Sequence, residues 1–206
     1  MNYQRLLEEE IELIKNNDVK PRLLLHACCG PCSSYVIEYL SNYFDITIYY
    51  YNPNTYPESE FERRFFELGK FIKEFNKNNE NQIKVIGKEY NSQEFYNSIR
   101  GLEHLGERSI RCYNCYKLRM KESAIFAKQC NYDYFTTTLS ISPYKDAKWI
   151  NEIGKDLEKE IGIKYLYSDF KKKNGYKRSI ELSKEYGMYR QDYCGCVYSK
   201  QEREIK

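Results

Sequence analysis

Seven of the eight cysteines in this 206-residue chain fall into three tight groups: Cys28, Cys29 and Cys32; Cys112 and Cys115; Cys194 and Cys196. Thiols at this density bind soft metals or pass electrons through disulfide exchange. The first group follows the apolar run Leu23-Leu24-Leu25-His26-Ala27 and brackets the Gly30-Pro31 turn. A strand that ends where a helix begins gathers backbone N–H groups and the positive end of the helix dipole, which favours a thiolate there. Cys112-Tyr113-Asn114-Cys115 opens a helical pattern, and that spacing lets both sulfurs face one metal. With Cys28 and Cys29 it makes four thiolates, a set that suits zinc or an iron–sulfur cluster.

Other readings of these groups stand beside the metal one. Cys29-Gly30-Pro31-Cys32 is also the active-site tetrapeptide of thioredoxin-like exchangers, placed as theirs is between strand and helix. A structural zinc is a third reading. Cys194-Gly195-Cys196 would close a small strained disulfide, easily reduced and fit for transient redox work; metal ligation is its alternative. Cys130 stands alone and reads as a small buried apolar residue. His26 reads as a strand-end packing residue ahead of a proton donor, a role for which tyrosines and Asp192 also qualify.

The elements that must position these thiols follow from periodicity. Tyr3, Leu6, Leu7, Ile11 and Ile14 mark an opening helix over 3–15. Leu23 to Ala27 and Ile46 to Tyr51 read as buried strands, the second β-branched and aromatic throughout. Ser33 and Ser34 are candidate caps for the helix after Pro31. Further helices are expected over 58–75, 113–129, 146–161 and 176–186, with strands over 83–86, 134–139 and 165–167. Strands alternating with helices predict an α/β fold, a doubly wound parallel sheet, in one domain spanning 1–206. A helical insertion over about 90–130 carries the C-x-x-C, and a tail over about 188–206 carries the C-x-C. In such sheets ligands sit outside the carboxyl ends of the strands, where the cysteine turn, Asn52-Pro53-Asn54 and Thr138-Leu139-Ser140 converge.

Composition narrows the class. Thirty-three basic against 30 acidic residues leave a formal charge of +3, so bulk charge does not announce a nucleic-acid binder. No stretch approaches the ~20 apolar residues of a membrane span, and Met1 to Asn17 is a charged helix pattern without the apolar core of a signal peptide. A cytoplasmic protein without membrane contact is expected, and a reducing compartment argues against a structural disulfide framework.

Five motifs in order resemble the epoxyqueuosine reductase family of the QueH type over about Arg22 to Ser199. They are Leu25-His26-Ala27-Cys28-Cys29-Gly30-Pro31-Cys32, Tyr51-Asn52-Pro53-Asn54, Arg111-Cys112-Tyr113-Asn114-Cys115-Tyr116-Lys117-Leu118-Arg119, Thr137-Thr138-Leu139-Ser140-Ile141-Ser142-Pro143-Tyr144-Lys145 and Tyr193-Cys194-Gly195-Cys196. The resemblance implies a sheet like that of the PP-loop/adenine nucleotide hydrolase-like (HUP) fold. It implies reduction of epoxyqueuosine to queuosine at the wobble position of tRNA, with electrons from an unidentified donor. It also implies that Cys28, Cys29, Cys112 and Cys115 hold a [4Fe–4S] cluster and that Cys194 and Cys196 are a redox pair. A further mononuclear metal, iron, would take Cys32 as a candidate ligand. Substrate and tRNA candidates are Asn52, Arg63, Arg119, Ser140 and Lys145. Tyr49, Tyr50 and Tyr51 read as core rather than as stacking platforms.

Overall fold

Three consecutive leucines divide the protein into layers. In the computed structural model, which describes residues 1–16, 18–79 and 82–205, strand β1 (Arg22–His26) is buried along Leu23–His26. Side chains alternate along a strand, so Leu23 and Leu25 face one layer and Leu24 the other. The first layer holds helices α1 (Tyr3–Ile14), α2 (Gly30–Leu40) and α3 (Glu58–Asn76), through Leu7, Ile11, Val36, Leu40, Leu68 and Phe71. The second holds α5 (Ile110–Gln129) and α6 (Ala147–Ile161), through Met120, Ala124, Ala127, Ile150, Ile153 and Leu157. Asn17, the last residue of the charged N-terminal stretch, and Lys206, the last of the tail, lie outside the described residues.

Five strands run parallel in the order β3-β2-β1-β4-β5, with β2 Asp45–Tyr50, β3 Lys84–Gly87, β4 Tyr134–Thr137 and β5 Lys164–Tyr165. Leu24 pairs with Thr47 of β2 on one side and Phe135 of β4 on the other. Chain order reverses between β1 and β4, so a crevice opens there at the carboxyl ends. The doubly wound α/β fold expected from the alternation is present. The link from β3 to β4 is helical: α4 (Ser92–Ser98) leads through turns into α5, which lies against β1 and β4. Helix α7 (Gly175–Glu185) packs on α2.

Three local readings change. Ser33 and Ser34 lie inside α2, where their hydroxyls donate to the carbonyls of Cys29 and Pro31; the cap position belongs to Cys29, with Gly30 and Pro31 opening the helix. Cys130 is exposed at the carboxyl end of α5 instead of buried, because the helix ends there and the chain turns out through Asn131 in a left-handed conformation. The tail after Cys196 forms a helix, α8 (Val197–Glu204), that no apolar period announces. Tyr49, Tyr50 and Tyr51 are buried in the core, as their strand setting predicts. No helix among the described residues is long and apolar enough to cross a membrane.

Candidate functional site

The site forms where β1 and β4 part. Cys28 and Cys29 leave β1, and Cys32 follows in the first turn of α2. Their three sulfurs lie within 4.8 Å of one another, and this group could hold a metal ion. Cys28 Sγ lies 3.8 Å from that of Cys29 and 3.7 Å from Thr138 Oγ1, just beyond β4.

Helix α5 begins at Ile110, earlier than its apolar pattern suggests, so Cys112 and Cys115 both lie within its first turns. Three residues apart on a helix, they share one face. The tail adds the last pair. A cavity of about 120 Å³ is lined by Cys28, Cys32, Cys112 and Cys194 together with Tyr116 and Lys145. A smaller one joins Cys112 and Cys115 to Cys194 and Cys196. All seven grouped cysteines therefore meet at one place. Cys28, Cys29 and Cys32 are the tight triad; Cys112 and Cys115 face them from α5.

The tail is fastened by contacts that do not involve sulfur. Buried Arg64 bonds Glu60 at 2.7 Å and donates to the Cys194 carbonyl at 3.2 Å. Ser199 Oγ receives the Cys194 N–H at 3.0 Å, and its own hydroxyl donates to Glu107. The Tyr56 N–H donates to the Gly195 carbonyl at 2.8 Å. Gly195 has φ +136°, a conformation nearly closed to side chains, and a Cβ there would stand 3.0 Å from Arg64 Nη1 and 3.2 Å from Asn54 Nδ2. Gly195→Ala should therefore lower stability by roughly 1–3 kcal/mol in denaturant unfolding, with the tail the first segment opened to protease.

Charge explains how so many thiols sit together. The thiols of Cys29 and Cys32 bond to the Cys28 sulfur and hold its pKa well below the usual thiol value, helped by Lys145 and Arg119. Cys29, bonded to that sulfur, is pushed up to about 12, and Cys32 is raised as well. Burial raises Cys112, and takes Cys115 to about 11 and Cys196 to about 12. Two of the cations around them, Arg119 and Lys145, form no ion pair among the described residues. Arg119 is 1% exposed; it donates to the Cys115 carbonyl at 3.2 Å and to Asn52 Oδ1 at 3.4 Å, and its Nη2 has no partner. Lys145 forms no ion pair among the described residues. Burial works against its charge, yet the sulfurs of Cys194, Cys28 and Cys32 hold its pKa above the ordinary lysine value.

A guanidinium without a counter-ion in an apolar interior costs several kcal/mol. The sulfurs are the anions in reach, so the site fits a group that binds them as thiolates. Gln191 donates its amide N–H to Cys29 Sγ at 2.9 Å, while its Oε1 and Asn54 Oδ1, beside the Cys112–Cys196 cavity, are buried acceptors without a donor among the described residues.

His26 is a frame residue, as its strand-end position suggests. It is fully buried, with Nε2 3.1 Å from the Tyr51 carbonyl and Nδ1 2.8 Å from Thr137 Oγ1. A carbonyl only accepts, so Nε2 carries the proton and Thr137 donates to Nδ1. Burial, with Arg119 adding to it, lowers the pKa to about 4. The ring is neutral at pH 7 and holds three strand ends in register.

Among the other residues singled out from the sequence, Asn52 is buried and braces the Ala27 carbonyl at 2.9 Å. Ser140 is buried against Ser168 at 3.3 Å. Arg63 is exposed and stacks its guanidinium 3.5 Å from the centroid of the Tyr189 ring. Lys145 reaches the cavity. Gln191 and the rim residues Arg108 and Arg203 escape sequence reading; no motif marks them, and only the fold brings them to the sulfurs.

A thiol-rich pocket at the switch point of a parallel sheet, beside two cations, Arg119 and Lys145, that form no ion pair among the described residues, suits a protein that handles metal or electrons through sulfur. The comparison with known sequences places it more closely. The chain belongs to the epoxyqueuosine reductase QueH family, whose sequence profile matches residues 23–202. The Epoxyqueuosine reductase QueH of Streptococcus pyogenes serotype M1 is 40% identical over 205 residues, covering 100% of this chain and 80% of its own. Those of Staphylococcus epidermidis and Thermotoga maritima are 40% identical over 207 residues and 36% over 187, covering 100% and 89% of this chain and 87% and 93% of their own.

Proposed function

We propose that this protein reduces epoxyqueuosine to queuosine at the wobble position of tRNA, using a [4Fe–4S] cluster and a dithiol. The observation that carries the reading is the convergence of three cysteine groups, in a chain of this family: Cys28, Cys32, Cys112 and Cys194 line one cavity with Lys145, Cys29 completes the triad, and Cys115 and Cys196 line the adjoining cavity. Cys28, Cys29, Cys112 and Cys115 would hold the cluster, and Cys32 a second metal ion, iron. The bound metals would relay electrons and offer a Lewis-acid contact for oxygen.

Removing the oxygen of an epoxide to leave an alkene takes up two electrons and two protons and releases water. Oxidation of the Cys194 and Cys196 thiols to a disulfide releases two electrons and two protons, which balances the step; an external reductant then restores the thiols. Cys194 lines the cavity and Cys196 sits behind it in the apolar group of Phe95, Ile99 and Cys115. The Lys145 ammonium faces the same cavity and meets the negative charge that develops on the departing oxygen. Asn52, Arg119 and Ser140 support the frame beneath the site.

The rival readings fit the site less well. A thiol exchanger using Cys29 and Cys32 leaves Cys112, Cys115, Cys194 and Cys196, which meet in the adjoining cavities, without a role. A structural zinc alone gives no role to the cavity that joins Cys28, Cys32 and Cys194 to Lys145. The direct test is incubation of anaerobically purified protein with tRNA bearing epoxyqueuosine and a chemical reductant. Queuosine should appear in the digested tRNA. Failure of metal-replete protein to form it would refute the assignment.

A further inference from the structure

The mouth of the cavity carries three residues that the reaction does not use. Tyr144, after the 3-10 turn of residues 138–141, is 53% exposed. The Arg108 guanidinium lies 5.7 Å from its ring centroid, and that of Arg203 lies 5.7 Å from the same centroid. The three come from separate segments: the turn before α5, the loop after β4, and α8. All line the cavity that reaches Cys28 and Cys194.

Neither arginine forms an ion pair or a side-chain hydrogen bond among the described residues, unlike Arg111 and Lys200 on the elements beside them. Arg108 is held in the left-handed region with φ +63°, a conformation that few non-glycine residues adopt. Two carboxylates share the mouth. Glu107 is occupied by the Ser199 hydroxyl, and Asp192 is exposed. Arg108, Arg203 and Lys145 outnumber them.

An exposed ring flanked by two uncompensated guanidiniums matches single-stranded RNA, whose bases stack on aromatic faces while arginines take the phosphates. A base delivered to the cysteines must leave its stack, and its neighbours in the strand then lie across the mouth. We propose that Arg108, Tyr144 and Arg203 bind the nucleotides flanking the modified base, Tyr144 stacking on one base and the arginines holding its phosphates. This deepens the reading of the substrate as tRNA and rests on it. These are positioning residues, and their removal acts on affinity before it acts on chemistry.

The test uses the full, metal-replete chain and a labelled anticodon stem-loop RNA with guanosine at the wobble position, bound over a salt series. Each phosphate contact on a single strand adds about 0.7 to the slope of log affinity against log salt, so Arg108→Gln with Arg203→Gln should reduce that slope by about 1.4. Arg108→Lys with Arg203→Lys keeps the charges and should keep the slope. Tyr144→Ala should weaken binding roughly 5- to 150-fold, and Tyr144→Phe should recover most of the loss. With epoxyqueuosine-bearing RNA the Tyr144→Ala loss should appear mainly in KM. Unaltered affinity in Tyr144→Ala together with an unaltered slope in the double Gln variant would overturn the proposal. Turnover separates the two readings: binding with these dependences but no conversion by the unchanged protein would sink the reaction assignment and leave the rim in place.

Discussion

Arg119→Met should make the reduced, metal-free protein more stable and the metal-loaded protein less so. The guanidinium is enclosed and, among the described residues, has no carboxylate partner and leaves Nη2 without a hydrogen bond. In the metal-free protein most of the thiols around it are held protonated by burial, so its charge is poorly balanced. Replacing a buried charge by an apolar side chain of similar length is commonly stabilising, by about 1–4 kcal/mol. Here the gain is reduced by the loss of the bonds to the Cys115 carbonyl and to Asn52, so about 1 kcal/mol is expected. Metal binding makes the sulfurs thiolates, and the same guanidinium then becomes their counter-charge. Removing one partner of a buried pair costs about 3–5 kcal/mol, which corresponds to roughly 10²- to 5 × 10³-fold weaker metal retention. Urea unfolding of the reduced chain and competition with a chelator measure the two arms. A residue that only filled space would lower both; a change of sign between them is the signature of charge compensation.

The double change Cys194→Ser with Cys196→Ser should remove turnover by on the order of 10³-fold or more while leaving metal content intact. The fold should tolerate it. Cys196 caps α8, its sulfur accepting the Ser199 N–H at 3.4 Å, and serine is a better cap than cysteine. Cys194 is half-buried and fixed through its backbone by Arg64 and Ser199, whose contacts the change does not touch. Metal analysis and turnover on the same preparation decide the result. Loss of metal along with activity would make the tail pair ligands instead of electron carriers. Intact turnover would remove the pair from the reaction.

Where sequence and structure agree, the cause is local and strong. The triple leucine of β1 and the Ile-Thr-Ile-Tyr-Tyr run of β2 have few other ways to bury themselves, and the alternation of strand and helix leaves little choice but a parallel sheet. The cysteine groups were legible because sulfur in pairs and triplets is rare without a task. The features that failed to show depend on distant partners. Arg119 stands in a motif and counts among the substrate candidates, but its enclosure between Asn52 and Cys115 shows only in the fold. Helix α8 has the sequence Val-Tyr-Ser-Lys-Gln-Glu-Arg-Glu, without an apolar period, and is held by Glu202 reaching the Glu107 N–H and Arg111. Since Arg203 reaches Tyr144 only through that helix, the rim was invisible as well. Ser33 and Ser34 misled because Gly30 and Pro31 open the helix earlier, at the cysteine turn itself.

The central claim is that cysteines from three distant segments form one thiolate site for a metal cluster. Iron, zinc and acid-labile sulfide measured on anaerobically purified protein, with matching samples of Cys28→Ala and Cys112→Ala, test it most directly. The account predicts iron and sulfide near four per chain, with additional iron if the second site is filled, and loss of the cluster in both variants. Sulfide-free protein after full reconstitution, binding zinc alone, or a cluster that survives the Cys112 change, would contradict it.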